Sequence, residues 1–131
     1  MFDIEFIFRV ALAAIFGGLI GFDRQKKHKP AGLRTHILVA IGAAIFSLIS
    51  FKAFPQDPAR IAANIVVGIG FLGAGTIFRA EKHIEGLTTA ASLWATAGIA
   101  SAAAFGFYWE SLAVAVLVFL VLEFVEVDAL L

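Results

Sequence analysis

Apolar residues run through this chain in long blocks, and a few short polar clusters divide them. Breaks fall at Pro30-Ala31-Gly32, at Pro55 and Pro58, at Glu85-Gly86, and from Gly106 through Glu110. Five spans lie between them: Ile4–Phe22, Thr35–Phe54, Ile61–Phe78, Thr88–Phe107 and Ser111–Val127. Each holds about 17 to 20 residues, the length a helix needs to cross a hydrocarbon core. No sustained alternation of apolar and polar residues argues for strands. Backbone groups in lipid must pair within their own segment, which again selects helices. The pattern predicts an all-α, polytopic membrane protein of about five transmembrane helices in one domain, residues 1–131. Tyr108, Trp109 and Glu110 mark the start of the fifth span, with aromatics of the kind found at membrane interfaces.

The polar residues crowd two stretches, GGLIGFDRQKKHKPAGLRTHILV (Gly17 to Val39) and GIGFLGAGTIFRAEKHIEGLTTAASLW (Gly68 to Trp94). The two resemble each other. Gly18 and Gly21 match Gly70 and Gly73, while Gly32, Leu33 and Thr35 match Gly86, Leu87 and Thr89. The offset, 52 residues for the first pair of matches and 54 for the others, is of the size that marks an internal repeat. Residues 4–54 and 61–107 then form two hairpins of the same orientation, related by an axis along the membrane normal, with the fifth helix, 111–127, outside the symmetry.

Composition agrees with a membrane class. The chain is 61% hydrophobic and 15% charged, against about a quarter charged in soluble domains. The net charge is zero, so nothing draws the chain to nucleic acid. It has no cysteine, which excludes disulfides and thiolate metal sites. The three histidines lack metal-ligand spacing. The first span begins with Asp3 and Glu5 rather than basic residues, and is expected to be a retained helix instead of a cleaved signal. Arg24, Lys26, Lys27, Lys29, Arg34, Arg79 and Lys82 fall on one side, and Arg9, Lys52 and Arg60 on the other. This bias predicts cytoplasmic first and third loops, an outer N-terminus and a cytoplasmic C-terminus.

The runs RVALAAIFGGLIGFDRQ, AGLRTHILVAIGAAIF, RIAANIVVGIGFLGAGTIFR and GLTTAASLWATAGIASAAAFGFY resemble the membrane domain of the MgtC/SapB family. The resemblance covers nearly the whole chain, and the combination of AGLRTH, GFLGAG and GLTTAASLW is specific. Asp23 stands where the family usually has Glu, and Asn64 where many members have Gln. The resemblance implies about five helices in the cell inner membrane, in a short form without the cytoplasmic ACT-like domain of longer members. It also implies adaptation to low magnesium, an association with virulence and survival in macrophages, and effects on the F-type ATP synthase.

The candidate site is a polar vestibule on the cytoplasmic side: Asp23, Arg24, Arg34, Thr35 and His36 with Thr76, Arg79, Thr88, Thr89 and Ser92. Asp23 and Arg24 are expected to close the first helix, where a carboxylate opposes the helix dipole and needs a cationic partner. His36 is expected to hydrogen-bond between helices. Thr88 and Thr89 also suit an N-cap of the fourth helix. On the outer side Arg9 must pair or snorkel, and Glu5 at i−4 is the simplest partner. Asn64 is expected to hydrogen-bond across helices. Gly17, Gly18, Gly21, Gly70, Gly73 and Gly75 are spaced for close helix packing. Glu123, Glu126 and Asp128 make an acidic end that neutralises the basic first loop.

No phosphate-binding loop, zinc-protease motif or nucleophile elbow is present, so no enzyme is expected. Two functions stand. One is a membrane regulator acting on partner proteins, such as the F-type ATP synthase, or on lipid headgroups in the bilayer. The other is a transporter of Mg2+ or another small ion, with Asp23 the candidate ligand. Mg2+ takes one or two carboxylates, but the cations around Asp23 favour an anionic ligand. No cofactor is expected beyond Mg2+ as a ligand. Five short helices offer little interior, so a homo-oligomer is expected.

Overall fold

A computed structural model describes residues 2–125. Five helices follow one another: α1 (Ile4–Lys26), α2 (Leu33–Ala53), α3 (Ala59–Ala74), α4 (Leu87–Ala104) and α5 (Tyr108–Phe124). Between α3 and α4 lies a small hairpin, β1 (Phe78–Arg79) and β2 (Ile84–Glu85), antiparallel with Phe78 opposite Glu85. Two of the described helices, α1 and α2, are long and apolar enough to cross a membrane.

Four boundaries fall three or four residues from the expected ones, among them the end of the fourth helix, at Ala104 instead of Phe107. The first helix does not stop at Phe22. It continues to Lys26, because nothing between Phe22 and Lys26 breaks it, and the Lys27 N–H still bonds to the Asp23 carbonyl at 3.1 Å. The third helix ends at Ala74, short of the expected Phe78. The Thr76 hydroxyl donates to the Gly73 carbonyl at 2.7 Å, competing for a group the helix would otherwise use. The chain then turns into the hairpin. Gly86 holds φ at +87°, and a Cβ there would lie 1.7 Å from the Thr76 carbonyl oxygen, so only glycine fits. The fifth helix starts at Tyr108 instead of Ser111, after Gly106 turns the chain at φ +93°. Its expected end at Val127, together with Glu126 and Asp128, lies outside the described residues.

The core lies where α1, α2 and α4 meet; Ile20, Leu48 and Leu93 are buried in it, and small residues line the closest approaches. Ala13, Gly17 and Gly21 of α1 face Ala40, Ala43 and Ala44 of α2 and Ala97, Ala100 and Ala104 of α4, all buried. At Gly17 and Gly21 the backbones of α1 and α2 come close enough for dispersion and interhelical contacts to hold them. Within α3 only Ile69 and Gly73 are buried, and within α5 only Ser111 and Ala115. These two helices lie on the outside of the trio.

Short connections make neighbouring helices antiparallel, which leaves two ends. One end joins the start of α1, the α2–α3 turn and the α4–α5 turn. Lys52 pairs with Asp3 there, and Arg9 reaches the Ala104 carbonyl. The other end gathers the finish of α1, the Lys27–Gly32 loop, the β-hairpin and the finish of α5. It carries the basic cluster.

A closed polar cluster at the basic end

Asp23 sits in the last turn of α1 and is wholly buried. Burial of a carboxylate requires a counter-charge, and the next helical turn supplies it. Lys27, four residues on, brings its Nζ to 3.0 Å from Asp23 Oδ1. The same ammonium lies 3.3 Å from Glu123 Oε2 on α5 and donates to the Leu122 carbonyl. Lys26 approaches Glu123 at 3.8 Å. One lysine therefore bridges two carboxylates and ties α1 to α5. Burial alone would push the Lys27 ammonium toward its neutral form. The adjoining Asp23 and Glu123 carboxylates outweigh this and hold its pKa above the ordinary lysine value. The contact with Asp23 is ionic and lacks hydrogen-bond geometry, so both Asp23 oxygens remain without a hydrogen-bond partner among the described residues.

Arg24, also buried, turns toward α4. Its Nη2 donates to Thr89 Oγ1 at 3.2 Å, while its Nε has no partner among the described residues. His36 lies one turn into α2, fully buried. Its Nδ1 faces the Gly32 carbonyl at 2.8 Å and must carry a hydrogen, since a carbonyl only accepts. Its Nε2 lies 2.9 Å from Ser92 Oγ on α4. Ser92 Oγ is also 2.7 Å from the Thr89 carbonyl. In the neutral ring Nε2 accepts, and the single Ser92 hydrogen must choose between Nε2 and Thr89. In the protonated ring Nε2 donates and both bonds stand. Thr96 Oγ1 extends the chain with a 2.7 Å bond to the Ser92 carbonyl.

Of the ten residues the sequence assigns to a vestibule, five come together: Asp23, Arg24, His36, Thr89 and Ser92. Arg34, Thr35, Arg79 and Thr88 are exposed and stand outside the cluster. Arg34 and Thr35 fall on the outward side of the first turn of α2, and Arg79 rides on the hairpin. Thr76 is half-buried and serves the turn after α3, bonding to the Gly73 and Gly86 carbonyls. Sequence reasoning misses Lys27 and leaves Glu123 outside the site. The signal for Lys27 is its i+4 spacing from Asp23, visible only once α1 is known to run past Phe22. No group of three or more His, Cys, Asp or Glu that could hold a metal ion occurs among the described residues. A divalent cation at Asp23 would have to displace the Lys27 ammonium.

At the opposite end Arg9 pairs with Glu5 and donates to the Ala104 carbonyl at 2.7 Å. Its guanidinium also lies 5.6 Å from the centre of the Tyr108 ring. It caps the C-terminus of α4, where a cation complements the helix dipole. Asn64 does not bond across helices. It is exposed, and its Nδ2 donates to the Arg60 carbonyl of its own helix at 3.1 Å. The glycines divide as well. A Cβ on Gly17 would meet Ala40 Cβ and the His36 carbonyl at 2.7 Å, and one on Gly21 would meet Leu33 Cα at 2.8 Å. Gly73 faces Ala90 at 3.4 Å. Gly18 has ordinary room, with Ile37 at 3.6 Å, and Gly70 faces open space. Gly75 lies beyond the end of α3, and a Cβ there would meet only the Leu72 carbonyl at 3.2 Å. Gly18 thus faces α2 with room for a methyl group, while Gly70 and Gly75 meet no other helix within the chain.

Comparison with known proteins gives one family. A family model described as the MgtC family matches residues 10–128. The chain is 45% identical to "Putative magnesium transporter YhiD" of Escherichia coli K12, over 91% of this chain and 60% of that protein. It is 46% identical to "Protein MgtC" of Salmonella typhimurium LT2, over 90% of this chain and 51% of that protein. It is 53% identical to "Protein MgtC" of Brucella abortus, over 69% of this chain and 38% of that protein. The chain thus spans about half the length of the curated relatives it matches. No solved structure matches it.

Proposed function

The chain belongs to the MgtC family, and from that membership we propose that it is an inner-membrane regulatory domain serving adaptation to low magnesium, not a conduit for ions. In this reading all five helices cross the bilayer, with the basic end in the cytoplasm and the N-terminus outside. The two α-hairpins are repeats of one unit. The domain works as a homo-oligomer and acts on membrane-protein partners, of which the F-type ATP synthase is the one the family suggests, or on lipid headgroups.

One observation carries the preference for regulation. The buried polar groups of the basic end engage one another. Lys27 fills the space between Asp23 and Glu123, Arg24 engages Thr89, and His36 engages Ser92. A pathway needs polar groups that are open to water and free to exchange partners, whereas Asp23, Arg24 and His36 are buried between helices and engaged with neighbours. What this cluster leaves exposed are cations and apolar helix faces, the features of a binding surface.

The transport reading has its own support. YhiD of Escherichia coli carries the magnesium-transporter name, and the two Asp23 oxygens lack hydrogen bonds among the described residues. Mg2+ flux into proteoliposomes decides between the two. Folded protein should give no flux above protein-free vesicles. Protein-dependent flux that disappears in Asp23→Asn would overturn regulation in favour of transport.

A further inference from the structure

A groove of about 640 Å³ separates α2 from α3, within the size range of small-molecule sites. Thr35, Val39, Gly42 and Phe46 line one wall, and Asn64, Gly68 and Leu72 are among the residues lining the other. Its walls are almost entirely apolar, and the one amide, Asn64, is turned onto its own helix. The groove begins at Thr35, in the first turn of α2 on the basic end, and stops at Phe46. Those eleven steps span roughly 17 Å, about half of a ~30 Å hydrocarbon core. It runs along the basic half of α2 and, in the membrane reading, is about one leaflet deep.

The cations at that end fall into two sets. Arg24, Lys26 and Lys27 are held by the cluster described above. Lys29, Arg34, Arg79 and Lys82 are exposed and have no ion-pair partner among the described residues. Arg34 directly precedes Thr35, which lines the groove mouth. Arg79 follows α3, whose Leu72 lines the same end. An apolar trough about 17 Å long, flanked at its basic end by elements that carry two arginines free of ion pairs among the described residues, matches a ligand with an acyl tail and an anionic head.

We propose that the α2–α3 groove binds one anionic phospholipid of the cytoplasmic leaflet, its acyl chain in the trough and its phosphate at Arg34 and Arg79. Guanidinium groups bind phosphate through paired N–H donors, and the leaflet's negative charge concentrates such lipids near basic segments. The proposal deepens the regulatory reading and rests on its placing of the basic end in the cytoplasm. It names the lipid as the class of partner and the groove as the place.

The structure also supplies a way to close the site without disturbing the core. A Cβ on Gly42 or Gly68 meets nothing within 4 Å, and both glycines line the groove. Gly42→Leu with Gly68→Leu should fill the trough in a folded protein. The probes are dioleoyl-phosphatidylglycerol and dioleoyl-phosphatidylcholine, added to detergent-solubilised full chain and counted by native mass spectrometry. Wild type should hold about one phosphatidylglycerol per chain in preference to phosphatidylcholine. The filled variant should retain less by roughly tenfold. Arg34→Gln with Arg79→Gln should keep its fold and lose the preference for the anionic lipid. Unchanged binding in the filled variant would overturn the proposal, as would an intact preference in the double Gln variant. A filled variant that binds lipid normally but loses its oligomeric state would give the groove to a second copy of the chain. If the filled variant does not fold, the double Gln variant decides alone. The flux experiment above reads the regulatory proposal separately, so either can fail without the other.

Discussion

Lys27 is the residue on which the basic end depends, and the sequence alone would leave it in solvent. In the run Gln25-Lys26-Lys27-His28-Lys29 it looks like one of several interchangeable surface cations. Its distinction comes from position: one helical turn after a wholly buried carboxylate, and within reach of a second on α5. Removing it leaves Asp23 and Glu123 without their shared cation. Loss of one partner from a buried pair costs about 3–5 kcal/mol. The Lys27 side chain is 27% exposed, and screening reduces this, so Lys27→Met should destabilise by about 1–3 kcal/mol. Thermal unfolding in detergent measures it, and Asp23→Asn in the same chain should recover much of the loss. The pH dependence has a definite sign. The folded-state pKa of Lys27 is raised above the ordinary 10.5. Its contribution is therefore full below pH 10.5 and lost as pH climbs through the raised value. Lys27→Met should lack that alkaline step. Asp3 behaves in the opposite sense. Hydrogen bonds from Lys52 and the Phe6 N–H hold its carboxyl below the ordinary 3.8. Its contribution is present above pH 3.8 and fades as pH falls through the lowered value, and Lys52→Met should weaken this acid-side step.

Among the elements, the helices are legible from apolar run length, because long apolar runs without period-two alternation favour helix over strand. Their ends are not. The helix α1 outruns its apolar span to reach Lys26 because no breaker follows Phe22, and the length of an apolar run does not register polar residues that continue a helix. The β-hairpin was illegible because Phe78, Arg79, Ile84 and Glu85 look like a helix tail and a loop until Gly86 and Thr76 close the turn. Glycine spacing overstated packing for a similar reason: it identifies helices with small residues but not the face turned to a neighbour. Gly21 and Gly70 separate the two cases. Gly21 sits against the start of α2, where an added methyl would lie 2.8 Å from Leu33 Cα and equally near His36 Cβ. Backbone on the other side cannot yield, so Gly21→Ala should cost about 1–3 kcal/mol. Gly70 lies inside α3 facing open space. Gly70→Ala should be neutral or stabilise by about 0.4–1 kcal/mol, through reduced freedom of the unfolded chain. Equal losses at both positions, measured by unfolding in detergent, would mean that α3 packs on a surface of another chain.

At the scale of the molecule, the sequence places the candidate site at one end, and the structure divides the cations of that end into two sets. The lysine and arginine count that predicts orientation treats seven cations as equals, yet three are consumed by the buried cluster and four stand free of ion pairs among the described residues. The division permits a cleaner test of topology than reversal of the whole first loop. Changing Lys26 or Lys27 would break ion pairs to Glu123, so misfolding and misorientation would be confounded. Changing Lys29, Arg34, Arg79 and Lys82 to Glu leaves the cluster intact. It reduces the basic end to Arg24, Lys26 and Lys27, against Arg9, Lys52 and Arg60 on the other. With the bias gone, the rule that retains positive loops in the cytoplasm no longer selects an orientation. The chain has no cysteine, so Glu81→Cys in the hairpin and Asp57→Cys in the α2–α3 turn report the two sides without background. In the parent chain a membrane-impermeant thiol reagent applied to intact cells should label the Asp57→Cys protein and spare the Glu81→Cys protein. In the four-fold variant both should label partially, the signature of mixed insertion. If the four-fold variant keeps a single orientation, the exposed cations do not set topology. Their freedom from ion pairs would then be left to ligand binding alone.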